Sequence, residues 1–214
     1  MRVKNIPLFT TEFGVASLTL EKIPYTGQAY IIIQSTLDLE QLLKECTDFC
    51  CAVGAQQVFA SGTANFEKYP MYTQIVTMSR MLERLPDTEA VLIPVEKETH
   101  SIWREIYNQK MRDVPNAAFL SIRDSEKLLQ RGNGYFVRKD DRLIGIGVAG
   151  ENRIITIAAV TPGGGRDTLL ALCSALHSTD VILEVAENNL PAVKLYRNLD
   201  FVKTGTISRW YKIK

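Results

Sequence analysis

Three consecutive glycines lie between an apolar strand and an amphipathic helix, and they are the first feature of this sequence that could form a ligand site. They lie in the stretch VTPGGGRDTLLALC, residues 160–173. A glycine loop lets the backbone approach a ligand closely, and the N–H groups that begin a helix favour an anion, so the pattern is typical of a phosphate site. Arg166 would add a positive charge there. The alternative is a plain turn, in which Asp167 and Thr168 cap the helix.

A second group of regularly spaced residues follows in LEVAENNLPAVKLYRNLDF, residues 183–201. Its members are Leu183-Glu184-Val185, then Asn189-x-x-Ala192-x-x-Leu195-Tyr196, then Leu199-x-Phe201. This string resembles the second signature of the GNAT N-acetyltransferase superfamily, which reads roughly Leu-x-Val, then Asn-x-x-Ala-x-x-Leu-Tyr-x-x-x-Gly-Phe. The spacing agrees at every step, although Asp200 stands where the family has glycine. The resemblance covers residues 90–214.

The resemblance implies that the protein binds acetyl-CoA (coenzyme A) as a co-substrate, without a metal. In this family the fourth strand separates from the fifth, its end offers backbone groups to the pantetheine arm, and the next loop holds the pyrophosphate at a helix N-terminus. The family loop reads Gln/Arg-x-x-Gly-x-Gly/Ala, so Gly164 matches it while Thr161 and Arg166 depart from it. The residues that we expect to bind the cofactor are Ala158, Ala159, Val160, Gly163, Gly164, Gly165, Arg166, Asp167, Thr168, Asn189 and Tyr196.

The resemblance also implies that acetyl passes directly from the thioester to an amine, without an acyl-enzyme. Tyr196 is expected to protonate the leaving thiolate, unless it is only a packed aromatic of the helix. The backbone N–H of Val160 is expected to polarise the thioester carbonyl, and Asn189 to order the turn or touch the cofactor. An alkylammonium has a pKa of about 10.4, so the acceptor also needs a base. Glu184 is the candidate, although its strand could equally point it to solvent.

The elements that must position these residues follow from periodicity and turn signals. Residues 90–214 predict the order β-α-α-β-β-β-α-β-α-β-β, with the last two strands at 201–205 and 207–214. Ser121 to Asp124 has the form of a capping box, and the two aspartates at 140 and 141 predict a hairpin turn. The preceding segment predicts β-β-α-β-β. The predicted fold class is α/β, with a GNAT-like mixed, mostly antiparallel central sheet flanked by helices.

A break in these signals at residues 85–88 divides the chain into an N-terminal segment, 1–86, and a GNAT acetyltransferase domain, 87–214. The first segment repeats part of the strand and helix order of residues 153–214, so we interpret it as a degenerate GNAT-like half-domain. Because no glycines come directly after the strand end Ile33-Gln34-Ser35, we do not expect this segment to bind a cofactor. It is predicted to wall the acceptor cleft or to be a dimerisation arm, which leaves monomer and homodimer both open.

Composition argues against several other classes. The net charge of the 214 residues is +1, which lacks the basic footprint of a protein that binds nucleic acid. No apolar run approaches the roughly 18 residues that span a membrane. The four cysteines contain no Cys-x-x-Cys and the two histidines are far apart, so we expect no metal site and interpret the thiols as buried residues in a reducing cytoplasm.

The sequence leaves three functions open. The first is an acetyl-CoA-dependent N-acetyltransferase that acts on a primary amine of a small molecule or peptide. The second is a catalytically weak or inactive acyl-CoA-binding sensor, suggested by the altered loop and by the absence of a carboxylate from the strand before it. The third is a phosphate- or nucleotide-binding α/β protein that only looks like the family.

Overall fold

The computed structural model describes residues 5–112, 114 and 117–214, without the side chain of Arg84, and divides into two compact units. The first unit comprises Met1–Ile75 and Thr206–Lys214, and the second comprises Val76–Gly205. The boundary lies before the division predicted at residue 86, because Val76 and Met78 already belong to the apolar core of the second unit. The interpretation of the first segment as a half-domain stays a prediction.

The first unit combines an antiparallel set of strands with one parallel crossover. Its elements are β1 (Ile6–Thr11), β2 (Gly14–Thr19), α1 (Ile23–Thr26), β3 (Gln28–Thr36), α2 (Leu39–Ala52), β4 (Gln57–Gly62) and the first part of β5 (Met71–Met81). β1, β2 and β3 are antiparallel neighbours, and β4 runs parallel to β3 after the helix α2. The strand β1 was not predicted, because its sequence IPLFTT lacks the apolar alternation that marks a half-buried strand.

The second unit contains the elements that the resemblance concerns. They are the rest of β5, a 3-10 turn (Leu82–Arg84), β6 (Val91–Pro94), α3 (His100–Lys110), α4 (Ile122–Arg131), β7 (Gly134–Lys139), β8 (Arg142–Gly150), β9 (Arg153–Ala159), α5 (Gly165–Ser174), β10 (Asp180–Ala186), α6 (Leu190–Asn198) and the start of β11 (Val202–Lys212). Its strands lie in the order β5-β10-β9-β8-β7-β6. The strands β6 to β9 are antiparallel neighbours, whereas β10 runs parallel to β9.

The predicted fold class is confirmed, since the sheet is mixed, mostly antiparallel and flanked by helices. The capping box at Ser121 is present, and Asp140 and Asp141 form the hairpin turn with φ of 47° and 57°. The C-terminal strands need a correction: a single strand, β11, continues through Gly205 where two had been predicted. In the described part of the chain, no helix is long and apolar enough to cross a membrane.

The cysteines behave as apolar core residues. Burial raises the pKa of the thiols of Cys46, Cys50 and Cys173 to about 12, so these groups stay protonated and inert at neutral pH. Among the described residues, no group of three or more His, Cys, Asp or Glu side chains lies where it could hold a metal ion.

The helix α5 lies directly on β8 because β8 carries glycines where the helix packs. A Cβ on Gly145 would lie 2.1 Å from the hydroxyl oxygen of Thr168, and one on Gly147 would lie 2.2 Å from a methyl group of Leu172. Both positions would therefore push α5 away from the sheet if they carried a side chain. Residue spacing does not reveal that these two glycines set the position of the helix after the glycine loop.

The C-terminal end of α6 is closed by a Schellman motif that also fixes Tyr196. The N–H of Phe201 donates to the carbonyl of Tyr196 at 3.0 Å, and the N–H of Asp200 donates to the carbonyl of Arg197 at 2.9 Å. Asp200 has φ of 57°, the left-handed conformation that the motif requires and that glycine adopts most easily. The rings of Tyr196 and Phe201 pack with centroids 5.9 Å apart, which is the apolar contact that accompanies such motifs.

Arg80 of β5 supports this helix end from the side. Its guanidinium donates to the carbonyl of Leu199 and lies 3.4 Å from the carboxylate of Asp200. The last carbonyls of a helix lack intrahelical partners, so this bond satisfies one of them. The Asp200 side chain is 85% exposed, and an ion pair in that position contributes little to stability.

We expect Asp200→Gly to raise the free energy of unfolding by up to about 1 kcal/mol, because glycine adopts this φ without Cβ strain. Asp200→Val should lower it by about 2 kcal/mol, because a β-branched side chain is strained at this φ. Arg80→Met should lower it by about 1–2 kcal/mol, because the Leu199 carbonyl loses its donor. Urea unfolding measures all three, and a valine variant as stable as the parent protein would contradict the assigned conformation.

Candidate active site

The parallel strands β9 and β10 pair only at their beginnings. Their register joins Arg153 to Ile182 and Ile154 to Leu183, and it does not extend to the later residues of β9. On its other side, β9 stays paired with β8 as far as Ala159. Beyond Ile154, the backbone groups of β9 that face β10 therefore do not pair with it, and a gap opens between the two strands.

An open cleft of about 500 Å³ lies where the two strands have separated. Its walls come from the end of α3, the later part of β9, the glycine loop with the start of α5, and α6. The cleft therefore brings together seven of the predicted site residues, which are Ala158, Ala159, Gly163, Gly165, Arg166, Asn189 and Tyr196.

The three glycines of the loop have three different environments. Gly163 has φ of 81°, so it makes the left-handed turn between β9 and α5. Gly164 faces the sheet, because a Cβ there would lie 2.7 Å from the carbonyl oxygen of Ile144. Gly165 faces the cleft, because its Cβ would meet Leu195 at 3.3 Å and Ala159 at 3.9 Å. Gly164 therefore packs against the sheet and Gly165 lines the cleft, and cofactor binding by Gly164 stays a prediction.

Comparison with known proteins addresses the fold. No protein-family model matches the sequence, and no curated protein matches it either. Solved structures do match. A GCN5-related N-acetyltransferase from Anabaena variabilis has a TM-score of 0.61 at 11% identity, over 94% of this chain and 59% of that one. A second one, from Kribbella flavida, has a TM-score of 0.57 at 9% identity, over 95% and 58%. A GNAT-family acetyltransferase from Colwellia psychrerythraea has a TM-score of 0.51 at 11% identity, over 97% and 84%.

The chain has the GNAT fold. At identities this low the likeness shows the fold alone, and it is the fold that the motif in residues 183–201 implied.

The backbone N–H that faces the opened side of β9 is not that of Val160. Val160 donates to the carbonyl of Ile144 at 2.8 Å, so the role predicted for its N–H at the thioester carbonyl is wrong. Antiparallel neighbours alternate between bonded and non-bonded pairs, and Val160 is bonded to β8. Ala159, opposite Gly145, is then in a non-bonded pair, and its N–H and carbonyl face away from β8. Ala159 thus offers the backbone groups that had been expected one residue later.

The N-terminus of α5 has no side-chain cap, since its cap position is Gly164. Asp167 and Thr168 do not take that role. The Asp167 carboxylate accepts from Lys139 and from Thr88, each at 3.0 Å, and the bond from Lys139 holds its pKa below the usual range. Thr168 is fully buried, and its hydroxyl donates to the carbonyl of Gly164 at 2.7 Å. Both residues lie outside the cleft lining, so the first N–H groups of the helix are left for another acceptor.

Tyr196 and Asn189 are held by the two ends of α6. The Asn189 side chain caps the helix by accepting from the N–H of Ala192, which is the turn-ordering role among its two predicted ones, and the residue also lines the cleft. Tyr196 is 4% exposed, and burial raises the pKa of its phenol well above the ordinary value. No hydrogen bond among the described residues uses the Tyr196 hydroxyl. A neutral phenol with a free donor therefore borders the cleft.

Glu184 does not join this group. Its carboxylate accepts from the guanidinium of Arg153 at 2.6 Å, its side chain is about half exposed, and it is not part of the cleft lining. The prediction of Glu184 as the general base therefore gains no support from the geometry. Its partner, Arg153, comes from the neighbouring strand, and sequence spacing could not identify it.

The sequence did not predict the charged cleft residue at the end of α3. Lys110, the last residue of α3, donates from its Nζ to the carbonyl oxygen of Val160 at 2.9 Å. The predicted order of elements contains this helix, but residue spacing carries no sign of which strand the Lys110 side chain reaches.

Alanine substitutions at the loop glycines should lower the free energy of unfolding by different amounts, because the glycines have different environments. Gly164→Ala should lower the free energy of unfolding by about 2–3 kcal/mol, because the new Cβ would press on the Ile144 backbone. Gly163→Ala should lower it by about 1 kcal/mol through its left-handed φ alone. Gly205→Ala is the matched control, since its Cβ would meet nothing within 4 Å. A Gly164 variant as stable as the Gly205 variant would contradict this placement of the loop.

Proposed function

We propose that this protein is a GNAT-type acyltransferase that moves an acetyl group from acetyl-CoA directly to a primary amine of a small molecule or peptide. The observation that carries the proposal is the cleft at the separation of β9 from β10, which has the free backbone groups of Ala159 on one wall and Tyr196 on another. A plain phosphate-binding loop would need neither the opened sheet nor a buried phenol beside it.

The residues of the cleft fit the chemical parts of acetyl-CoA. The backbone N–H and carbonyl of Ala159 suit the amide groups of the pantetheine arm, which would add to β9 as a strand does. The uncapped start of α5 at Gly165 and the guanidinium of Arg166 suit the phosphates. The bound thioester would supply the acetyl group, and the chain's own groups would hold it beside Tyr196.

Tyr196 acts in this proposal as a neutral hydrogen-bond donor to the thiolate that leaves. In water a phenol has a pKa of about 10 and a thiol one of about 8.5, so the phenol is the weaker acid. Burial disfavours both anions and raises both pKa values, so it does not reverse that order. The phenol of Tyr196 therefore keeps its proton and stabilises the developing charge on sulfur by donating a hydrogen bond to it.

The second candidate is a sensor that binds acyl-CoA without turnover. It is favoured by the pairing of Glu184 with Arg153, which takes the predicted base away from the cleft. Binding and turnover distinguish the two candidates, because both require acetyl-CoA to bind and only the first releases CoA.

Titration calorimetry with acetyl-CoA tests the proposal. We expect saturable binding by the parent protein, and CoA release when primary amines of small molecules and peptides are added. Gly165→Val should weaken binding at least about tenfold, because its side chain would enter the cleft beside Leu195 and Ala159.

The matched control is Gly205→Val, where the side chain meets open space. Absence of binding by the parent protein at high micromolar acetyl-CoA would end both candidates. Binding without CoA release across the amine panel would leave only the sensor.

Tyr196→Phe should lower kcat by about a hundredfold and leave the affinity for acetyl-CoA nearly unchanged, because the ring still packs and only the donor is lost. Since burial raises the Tyr196 pKa, the phenol stays protonated below about pH 10, and its contribution is lost only as pH rises through that raised value. Steady-state rates from pH 6 to 10 measure the loss of kcat, and the ratio of parent to variant kcat should stay constant over this range because the phenol stays neutral throughout it. An unchanged kcat would remove Tyr196 from the chemistry.

A further inference from the structure

The end of helix α3 contributes a cation to the cleft to which neither the motif nor the proposed reaction gives a role. The Nζ of Lys110 lies 2.9 Å from the carbonyl oxygen of Val160. Val160 immediately precedes the loop that runs from Thr161 to Gly164 and into α5. The hydrogen bond therefore holds a positive charge at the start of the loop.

That charge is not neutralised by the bond that holds it. An ammonium has three N–H donors, and the carbonyl of Val160 is neutral and accepts from one of them. The described residues give Lys110 no carboxylate partner, and its side chain is exposed. Two donors and a full charge are left for a ligand in the cleft.

Three further features of the same cleft show what kind of ligand would use this charge. Arg166 lines the cleft with a side chain that is 52% exposed, and its guanidinium lies 3.9 Å from the Asp167 carboxylate, which Lys139 and Thr88 already bind. The helix α5 begins beside it without a side-chain cap. The phenol of Tyr196, which is 96% buried and has no described hydrogen-bond partner, marks the cleft as a place for a polar ligand. Two cations and a helix N-terminus together favour an anion of more than one charge.

We propose that Lys110 binds the diphosphate of acetyl-CoA together with Arg166 and the N-terminus of α5; this inference rests on the proposed function. The loop begins with Thr161, which carries no charge. Lys110 brings a positive charge to this place from the helix α3. Its ammonium exchanges the hydrogen bond to Val160 for bonds to phosphate oxygens.

The test compares two ligands and three variants. Acetyl-CoA carries the diphosphate, and acetylpantetheine carries the same thioester arm without phosphate. Lys110→Gln removes the charge, and Lys110→Arg keeps it. Lys194→Gln is the matched control, because Lys194 is an exposed lysine of α6 that is not part of the cleft lining. Circular dichroism of each variant verifies that it is folded.

We expect Lys110→Gln to weaken acetyl-CoA binding about tenfold, the size of one lost charge-assisted hydrogen bond at an exposed site. Lys110→Arg should stay within about threefold of the parent protein, and Lys194→Gln should bind like it. The affinity for acetylpantetheine, measured by competition, should not change in any of them. The affinity of the parent protein for acetyl-CoA should also fall more steeply with added salt than that of Lys110→Gln.

Three results would overturn the inference, and they are distinguishable. If Lys110→Gln binds acetyl-CoA as well as the parent protein or more tightly, Lys110 only blocks the Val160 carbonyl. If Lys110→Gln raises the KM for the amine while acetyl-CoA binds normally, Lys110 belongs to the acceptor site. If the parent protein does not bind acetyl-CoA at all, the proposed function fails and the inference fails with it.

Discussion

The separation of β9 from β10 is the constraint on which the candidate site depends. Only two residue pairs join these parallel strands, and beyond Ile154 the strand β9 keeps only β8 as a neighbour. An interior strand that loses one neighbour must present backbone donors and acceptors at that edge. Ala159 presents them here. The elements that follow the two strands, the glycine loop and α6, then become the walls of the cleft, so one interrupted ladder creates both the opening and its lining.

The first unit shows what the same order of elements gives when the ladder stays closed. β3 and β4 are also parallel and joined by a helix, but they pair over six positions, from Gln28↔Gln57 to Ile33↔Gly62. The helix between them begins at Asp38, whose carboxylate accepts from the N–H of Gln41 and so occupies the helix N-terminus with a negative charge. A strand, a helix and a parallel strand therefore do not suffice for an anion site. An open ladder and an uncapped helix are both needed, and within the second unit β9 and α5 provide them.

The sequence predicted the fold well because its most specific string consists of residues that build one helix. Asn189 caps α6, Val193 lies in the core and Phe201 closes the Schellman motif, and such local requirements appear directly as residue types at fixed spacing. The direction in which each backbone N–H of β9 points has no such local signal in the sequence. Whether Val160 or Ala159 faces the opening depends on register with β8, and a shift of one residue reverses it. Partners from distant strands and helices, such as Arg153 for Glu184 or Lys110 for Val160, depend on sheet order and were likewise beyond sequence spacing.

Tyr196 shows why packing and chemistry are not alternatives at this site. Its ring belongs to the core of the second unit and rests on Phe201, so the helix end holds the side chain in one place. Among the described residues no hydrogen bond uses its hydroxyl, and the residue borders the cleft. Water or a ligand in the cleft must therefore accept from it. Because burial also keeps the phenol neutral, the packing that looks purely structural is what fixes a hydrogen-bond donor at the wall of the cleft before any substrate arrives.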